Sequence, residues 1–541
     1  MYQQILIIVL CLATLPCTSV RAQKMPHFER VGSVNQLIVE DQAFLILGGE
    51  LGNSTFTSTE SMALVWPKLK AMHLNTVLAP VYWELLEPEE GSFDFELLDQ
   101  LILEARKQEL KLVLLWFGSW KNSMSSHAPA WVKLDQEKYP RIKDEYGVSH
   151  EILTPFSEAV LQADKLAYVA LMEHLKTFDG KDHTVIMVQP ENEIGMLPSA
   201  RDHGPLANEK YRAAVPQELL TYLQANKERL VPELFLAWGQ AGFPMSGNWE
   251  EVFGVGEHTE EIFMAWYYAR FTNELVVAGK ASYPLPMFVN AALNTRGRRP
   301  GEYPSAGPLP HLMNIWQAGA PDVDMLSPDF YTPDFKHWMD LYDRLDNTLF
   351  VPEHRFDNTV AAKAAYAIGH YEAIGFSPFS IESKDNSEEQ ELGKIYALLD
   401  QLTPLITQHQ GRGKIEGVLL DKVSPSTSFT LGDYVFTVKH SHTLGWEAAA
   451  KDEVWEPAGA VFIQTGENEF YVAGSGIVAT FAHRENPDLR IGILKCEAGA
   501  FRDDKWTVTQ HLNGDQTHQG RHLRIFRGEY GIQRLELYGY E

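Results

Sequence analysis

Cysteine is nearly missing from this 541-residue chain, which holds only Cys11, Cys17 and Cys496. There is no CxxC pair and no zinc-finger spacing, so neither a thiol redox motif nor a structural zinc site is expected. Cys11 and Cys17 fall in an apolar leader; without it only Cys496 remains and no internal disulfide can form. An exported chain of this size without a disulfide framework fits a bacterial periplasm. Basic residues are also scarce, 46 against 72 acidic ones, for a formal net charge of −26. That balance repels nucleic acid and anionic lipid, and leaves a neutral partner such as a sugar unaffected. Long apolar runs are lacking as well. Residues 5–15 are too short to span a bilayer and polar residues follow at once, so residues 1–22 read as a signal peptide cleaved after Ala22. Its first four residues carry no Lys or Arg, and Pro16 makes Cys17 a poor lipobox cysteine.

Low-complexity tracts and internal repeats are absent too, and the chain is too long for one ordinary core, so a large domain plus a smaller one is expected. From about residue 44 to 410, short apolar runs alternate with longer helical segments, the pattern of a parallel sheet covered by helices. The runs at 44–47, 75–82, 111–117, 183–189, 287–292, 322–326, 349–352 and 376–381 give eight strand–helix units. Eight units point to a (β/α)₈ TIM barrel over residues 23–411. Beyond Gly411-Arg412-Gly413, alternating runs at 434–438, 460–464, 469–472, 489–494, 506–510 and 522–526 point to an antiparallel β-sandwich domain over residues 412–541.

A TIM barrel carries its chemistry at the C-terminal ends of its strands. Strand four runs into Gln189-Pro190-Glu191-Asn192-Glu193-Ile194-Gly195 and strand seven into Glu353-His354-Arg355. Strand two ends in Tyr82-Trp83-Glu84, strand three in Trp116-Phe117-Gly118-Ser119-Trp120, and strand six reaches Asp329-Phe330-Tyr331. Two carboxylates facing each other across a barrel mouth lined by aromatics suit cleavage of a glycosidic bond. One protonates the leaving oxygen while the other attacks the anomeric carbon, and a separation of roughly 5 Å permits a covalent intermediate. Glu191 rivals Glu193, and Glu382, ending strand eight, rivals Glu353.

The segment Gln189–Gly195 resembles that of the family 35 β-galactosidases of glycoside hydrolase clan A. So does the stretch at 75–95, where Leu86-Glu87-Pro88-Glu89-Glu90-Gly91 is followed by Phe93-Asp94-Phe95. The resemblance implies a retaining exo-β-galactosidase acting on a plant oligosaccharide such as xyloglucan. It makes Glu193 the acid/base, because that residue follows the Asn, and Glu353 the nucleophile. Asn192 would bind the 2-hydroxyl, Tyr331 would orient the nucleophile, and Tyr82 and Trp116 would line the sugar subsite. The ends of strands one and three depart from the commoner family pattern, with Gly48-Gly49-Glu50-Leu51-Gly52 and Phe117-Gly118-Ser119-Trp120-Lys121-Asn122. With these departures the chain resembles a divergent bacterial subgroup, and Glu50, Trp120 and Lys121 become candidates for replacement sugar contacts. A β-glucosidase, a β-mannosidase, an endo-glycanase or a non-catalytic sugar binder stay open as alternatives.

Other motifs carry no function on this reading. Gly474-Ser475-Gly476-Ile477-Val478-Ala479 has the letters of a dinucleotide fingerprint but lies in the β-domain without a βαβ unit, so no cofactor is expected. His440-Ser441-His442 lacks a third ligand, and no metal is expected. The oligomeric state leaves no mark in the sequence.

Overall fold

The computed structural model describes residues 25–293, 297–385 and 387–541; the expected leader lies outside the described residues. The barrel strands are Ile46–Glu50, Thr76–Tyr82, Lys111–Lys121, Val185–Asn192, Phe288–Ala292, Met325–Phe330, Val351–His354 and Gly375–Pro378. They are called first to eighth in that order. They pair in parallel, the eighth beside the first, and the ring closes where Val188 of the fourth strand bridges Met287 just before the fifth. There the Val188 N–H donates to the Pro286 carbonyl at 3.0 Å. Each strand is followed by at least one helix, among them Glu96–Lys107, Glu158–Phe178, Glu257–Ser282, Val360–His370 and Glu391–His409. All eight sequence runs therefore became strands.

The reason they read so clearly is burial on both faces. Leu115, Phe117, Ile186, Met187, Phe288 and Phe350 pack inside the barrel. Leu112, Leu114, Val185 and Val188 face the helices instead. Between the first and second strands stand two helices, Thr59–Ala63 and Trp66–Ala71, with Pro67 at the start of the second, where the missing N–H is tolerated. A three-stranded sheet precedes the barrel, His27–Val31, Val34–Val39 and Gln42–Phe44, in a stretch the sequence reading gave to the barrel itself. Its Leu37 and Val39 join the interior barrel cluster, so this small sheet closes one end of the barrel against water.

Behind the barrel, a six-stranded and a four-stranded antiparallel sheet face each other across Phe436, Phe462, Phe470, Val472, Ala479, Leu523 and Leu535. This is the expected sandwich. The outer face of the larger sheet (Val461, Ile463, Tyr471, Ala473, Ile532) joins the barrel's outer core. The contact with helix Val360–His370 is close enough to need glycine: a Cβ on Gly369 would lie 2.7 Å from the Gly417 Cα.

Candidate active site

Six of the nine residues singled out from the sequence meet at the barrel mouth, Tyr331 among them through its hydroxyl on Glu353. Glu50 ends the first strand, Lys121 the third, Asn192 the fourth with Glu193 directly after it, and Glu353 lies in the seventh. One carboxyl oxygen from each of Glu193, Asp329 and Glu353 lies within 4.8 Å of the others. Glu193 and Glu353 are each only 2% exposed, so their charges interact with little screening by water.

The fourth strand delivers Glu193 in an unusual backbone shape. Glu191 and Glu193 both have positive φ, +63° and +45°, a region that costs a non-glycine residue of order 1–3 kcal/mol and persists only where surroundings enforce it. The Glu193 N–H donates to Asn290 Oδ1 at 2.8 Å, and the Ser123 N–H donates to the Glu193 carbonyl at 3.2 Å. The same kinks separate the two rival glutamates. Glu191 accepts the N–H groups of Ser119 at 3.2 Å and Trp120 at 2.7 Å. Burial and the adjacent Asp164 then hold its carboxyl well above the ordinary range. It is a buried support for the third strand, and Glu193 alone of the two reaches the carboxylate cluster.

Around Glu193 the charges oppose one another. Burial first, and then the charge of Glu353, raise its pKa to about 7, while Lys121 and the neighbouring Asp329 and Asn122 side chains work the other way. The Asn122 amide donates to Glu193 Oε2. Lys121 Nζ donates to Asn192 Oδ1 at 2.7 Å and stands 3.8 Å from Glu193 Oε2. Burial alone would weaken this ammonium, but Glu193, Glu353, Glu50 and Asp329 outweigh it and keep Lys121 charged. The Tyr331 hydroxyl donates to Glu353 Oε1. Glu50 is buried, and that burial together with the charge of Glu353 pushes its carboxyl well above the usual range. The spacing of Glu193, Asp329 and Glu353 would also suit a divalent cation, but the Lys121 ammonium already supplies positive charge there and opposes a second cation.

Two expected sugar contacts are corrected. Along the third strand Phe117 points into the barrel, whereas Trp116 and Trp120 point out into the helix layer. Trp116 Nε1 donates to Asp164 Oδ1 at 2.8 Å. Trp120 Nε1 donates to the Leu153 carbonyl at 3.0 Å, and its ring packs on Tyr268 and Phe271. Side chains alternate along a strand, so neighbouring aromatics at its end cannot all face the mouth. Trp116→Phe is expected to lower the unfolding free energy by about 1–3 kcal/mol, because it leaves Asp164 short of a buried donor. Denaturant titration reads that loss; full stability with weakened sugar binding would instead put the indole in the site.

Tyr82 does face inward, packed against Phe117 and His127. Lys121 Nζ lies 5.2 Å from the centroid of that same Phe117 ring. Glu382, the rival of Glu353, is committed elsewhere, accepting from the Gly52 N–H at 3.1 Å and from the Thr55 hydroxyl. In the β-domain, His440 and His442 are engaged by the Glu456 carbonyl and the Glu447 carboxylate.

Sequence reasoning passed over Asp329, Asn290 and Asn122. Asp329 could have been found by alternation, since it lies two residues before Tyr331. Asn290 and Asn122 owe their roles to backbone turns that no motif announces. Beside Tyr331, a cavity of about 670 Å³ lies between the barrel rim and the β-domain, lined among others by Arg355, His337, Asp421 and Pro457.

Comparison with known proteins gives a consistent fold. Residues 58–277, less than half the chain, match the glycoside hydrolase 42 family model, described as Beta-galactosidase. Residues 392–524 match a model described as a domain of unknown function. No curated protein matches. Among solved structures, the β-galactosidase of Rahnella sp. R3 is 12% identical, with 92% of this chain and 99% of that one aligned at a TM-score of 0.50. The β-galactosidase of Bacillus circulans sp. alkalophilus is 16% identical over 66% of this chain and 56% of that one, at a TM-score of 0.46. The catalytic domain of Paenibacillus polymyxa β-amylase is 13% identical over 66% of this chain and 99% of that one, at 0.44. The chain thus spans little more than half the length of the Bacillus enzyme. The family model and the Rahnella structure support the architecture alone, a β-galactosidase-like barrel fold.

Proposed function

We propose that this protein is a retaining exo-β-galactosidase of the family 35 type, exported through the leader at 1–22 to a bacterial periplasm. It removes terminal β-D-galactosyl units from plant cell-wall oligosaccharides such as those of xyloglucan. The observation that carries this reading is the pair of buried glutamates, Glu193 and Glu353, with oxygens within 4.8 Å. Retaining glycosidases hold their carboxyl groups roughly 5–5.5 Å apart, whereas inverting ones leave about 6.5–9.5 Å for a water.

In the first step Glu353 attacks the anomeric carbon while protonated Glu193 gives its proton to the departing glycosidic oxygen. A covalent galactosyl ester on Glu353 results. In the second step Glu193, now a carboxylate, takes a proton from water, the water attacks the anomeric carbon, and the ester bond to Glu353 breaks. Asn192 Nδ2 is buried with no partner among the described residues and is the donor for the sugar 2-hydroxyl. Its amide is held by Lys121, so Lys121 orients that contact. The cavity beside Tyr331 gives room for the rest of the oligosaccharide.

The second reading is another β-glycosidase of the same clan. Glu50 and Lys121 favour it, since they stand where the commoner family members have other residues. A panel of aryl β-galactoside, β-glucoside and β-mannoside tests both. Galactoside hydrolysis releasing the β-anomer first, read by ¹H NMR, is the expected result. Failure on every galactoside ends the galactosidase reading, and first release of the α-anomer ends the retaining one.

A further inference from the structure

Five charged or chargeable groups crowd the barrel mouth. Glu50, Glu193, Asp329 and Glu353 face one ammonium, Lys121, and none of the five is more than 5% exposed. The mechanism above uses neither Glu50 nor Asp329, and of these two Asp329 is the one held by a named donor. It lies in the sixth strand, paired in register with Glu353 of the seventh.

The neighbour that fixes it is Asn290 of the fifth strand. Asn290 Oδ1 accepts the Glu193 N–H at 2.8 Å, which leaves its Nδ2 as donor to Asp329 Oδ2 at 2.6 Å. The amide cannot be turned over without losing both bonds. Asp329 Oδ1 is therefore the oxygen left over, buried and with no donor among the described residues. It belongs to a carboxyl group that lies within 4.8 Å of Glu193 and Glu353 oxygens. Acceptor oxygens this close, out of water, repel unless a proton sits between them.

Resting on the glycosidase reading above, we propose that Asp329 is a positioning residue that stays a neutral acid at working pH and donates its proton in a hydrogen bond to Glu193. Burial disfavours its ionisation most of all, the carboxyls of Glu353, Glu193 and Glu50 act in the same direction, and only the Lys121 ammonium opposes them. From the helix Phe335–Tyr342, buried Tyr342 stays a neutral phenol that donates to the Pro308 carbonyl at 2.8 Å and brings no charge to Asp329. The neutral acid stabilises Glu193 when Glu193 is the carboxylate that activates water. Asn290 thus ties the backbone of the acid/base and the donor to its side chain through one amide.

The proposal separates Asp329→Asn from Asp329→Ala. An amide keeps both roles of a neutral acid, accepting from Asn290 and donating to Glu193. Asp329→Asn is expected to keep kcat/KM within about threefold and its alkaline limb in place, while Asp329→Ala loses about 10–100-fold and moves that limb upward. If Asp329 were ionised, both variants would remove a negative charge and move the limb downward, and that outcome overturns the proposal. A readout independent of turnover is infrared difference spectroscopy on protein with ¹³C-labelled aspartate carboxyls. At neutral pH the protonated-carboxyl band should be present in the wild type and lost in Asp329→Asn. Its absence from the wild type overturns the proposal even if the substrate assignment holds. Its presence in a protein that cleaves no β-glycoside would leave the proton placement standing and end the glycosidase reading alone.

Discussion

Glu353→Gln is expected to lower kcat on an aryl β-galactoside by on the order of 10⁴-fold or more, because no other group can form the covalent ester. The geometry leaves little room for substitution. Glu353 is oriented by the Tyr331 hydroxyl on Oε1, and its Oε2 is buried without a partner among the described residues. On the proposed mechanism that oxygen is the attacking one. Glu50 is another buried carboxyl at the mouth, but burial and the charge of Glu353 favour its protonated form, and a neutral carboxyl is a poor nucleophile. Glu382 is occupied by the Gly52 N–H and Thr55. Tyr331→Phe should lose far less, about 10–100-fold, as a hydrogen bond to the nucleophile is removed and the nucleophile itself remains.

The second large effect concerns Glu193. Glu193→Ala is expected to reduce kcat/KM by about 10²–10⁴-fold on a galactoside with a poor leaving group, and much less on a dinitrophenyl one that needs no proton. Azide should restore turnover and give a β-galactosyl azide. The pH profile follows from the same residue. Glu193 must be protonated for the first step, and burial followed by the Glu353 charge raises its pKa to about 7. Wild-type kcat/KM should therefore fall as pH rises through that value. The alkaline limb should disappear in Glu193→Ala. Once Glu353 is esterified its charge is gone, so Glu193 becomes a stronger acid and is ionised when the water must be activated. A limb that survives in Glu193→Ala would assign it to another group.

Eight strands could be read from the sequence because each is buried on both faces and so is apolar throughout. The carboxylate pair was legible for a related reason: polar residues that follow directly on such runs have to sit at the strand ends. What the sequence hid is orientation. Trp116 and Phe117 are adjacent in the same strand end, yet one serves the helix layer and the other the barrel interior. Glu191 and Glu193 would share a face in a regular strand, and only their left-handed backbone sends them to different partners. The small sheet at residues 27–44 was missed because its strands are short and only half apolar, as a cap on a barrel end needs to be. In the β-domain the strand Gly531–Tyr540 escaped notice, although it pairs on both sides in the six-stranded sheet. Its apolar residues are separated by Arg534 and Glu536, which lie together in a surface charge cluster with Glu469.

The most direct test is to trap the intermediate. Incubation with a 2-deoxy-2-fluoro-β-galactoside bearing a good leaving group, followed by proteolysis and mass spectrometry, locates the covalent sugar. One fluorogalactosyl group on the peptide containing Glu353 is the expected result. A label on Glu50, Glu193 or Glu382, or no label in a preparation that hydrolyses galactosides, would contradict it.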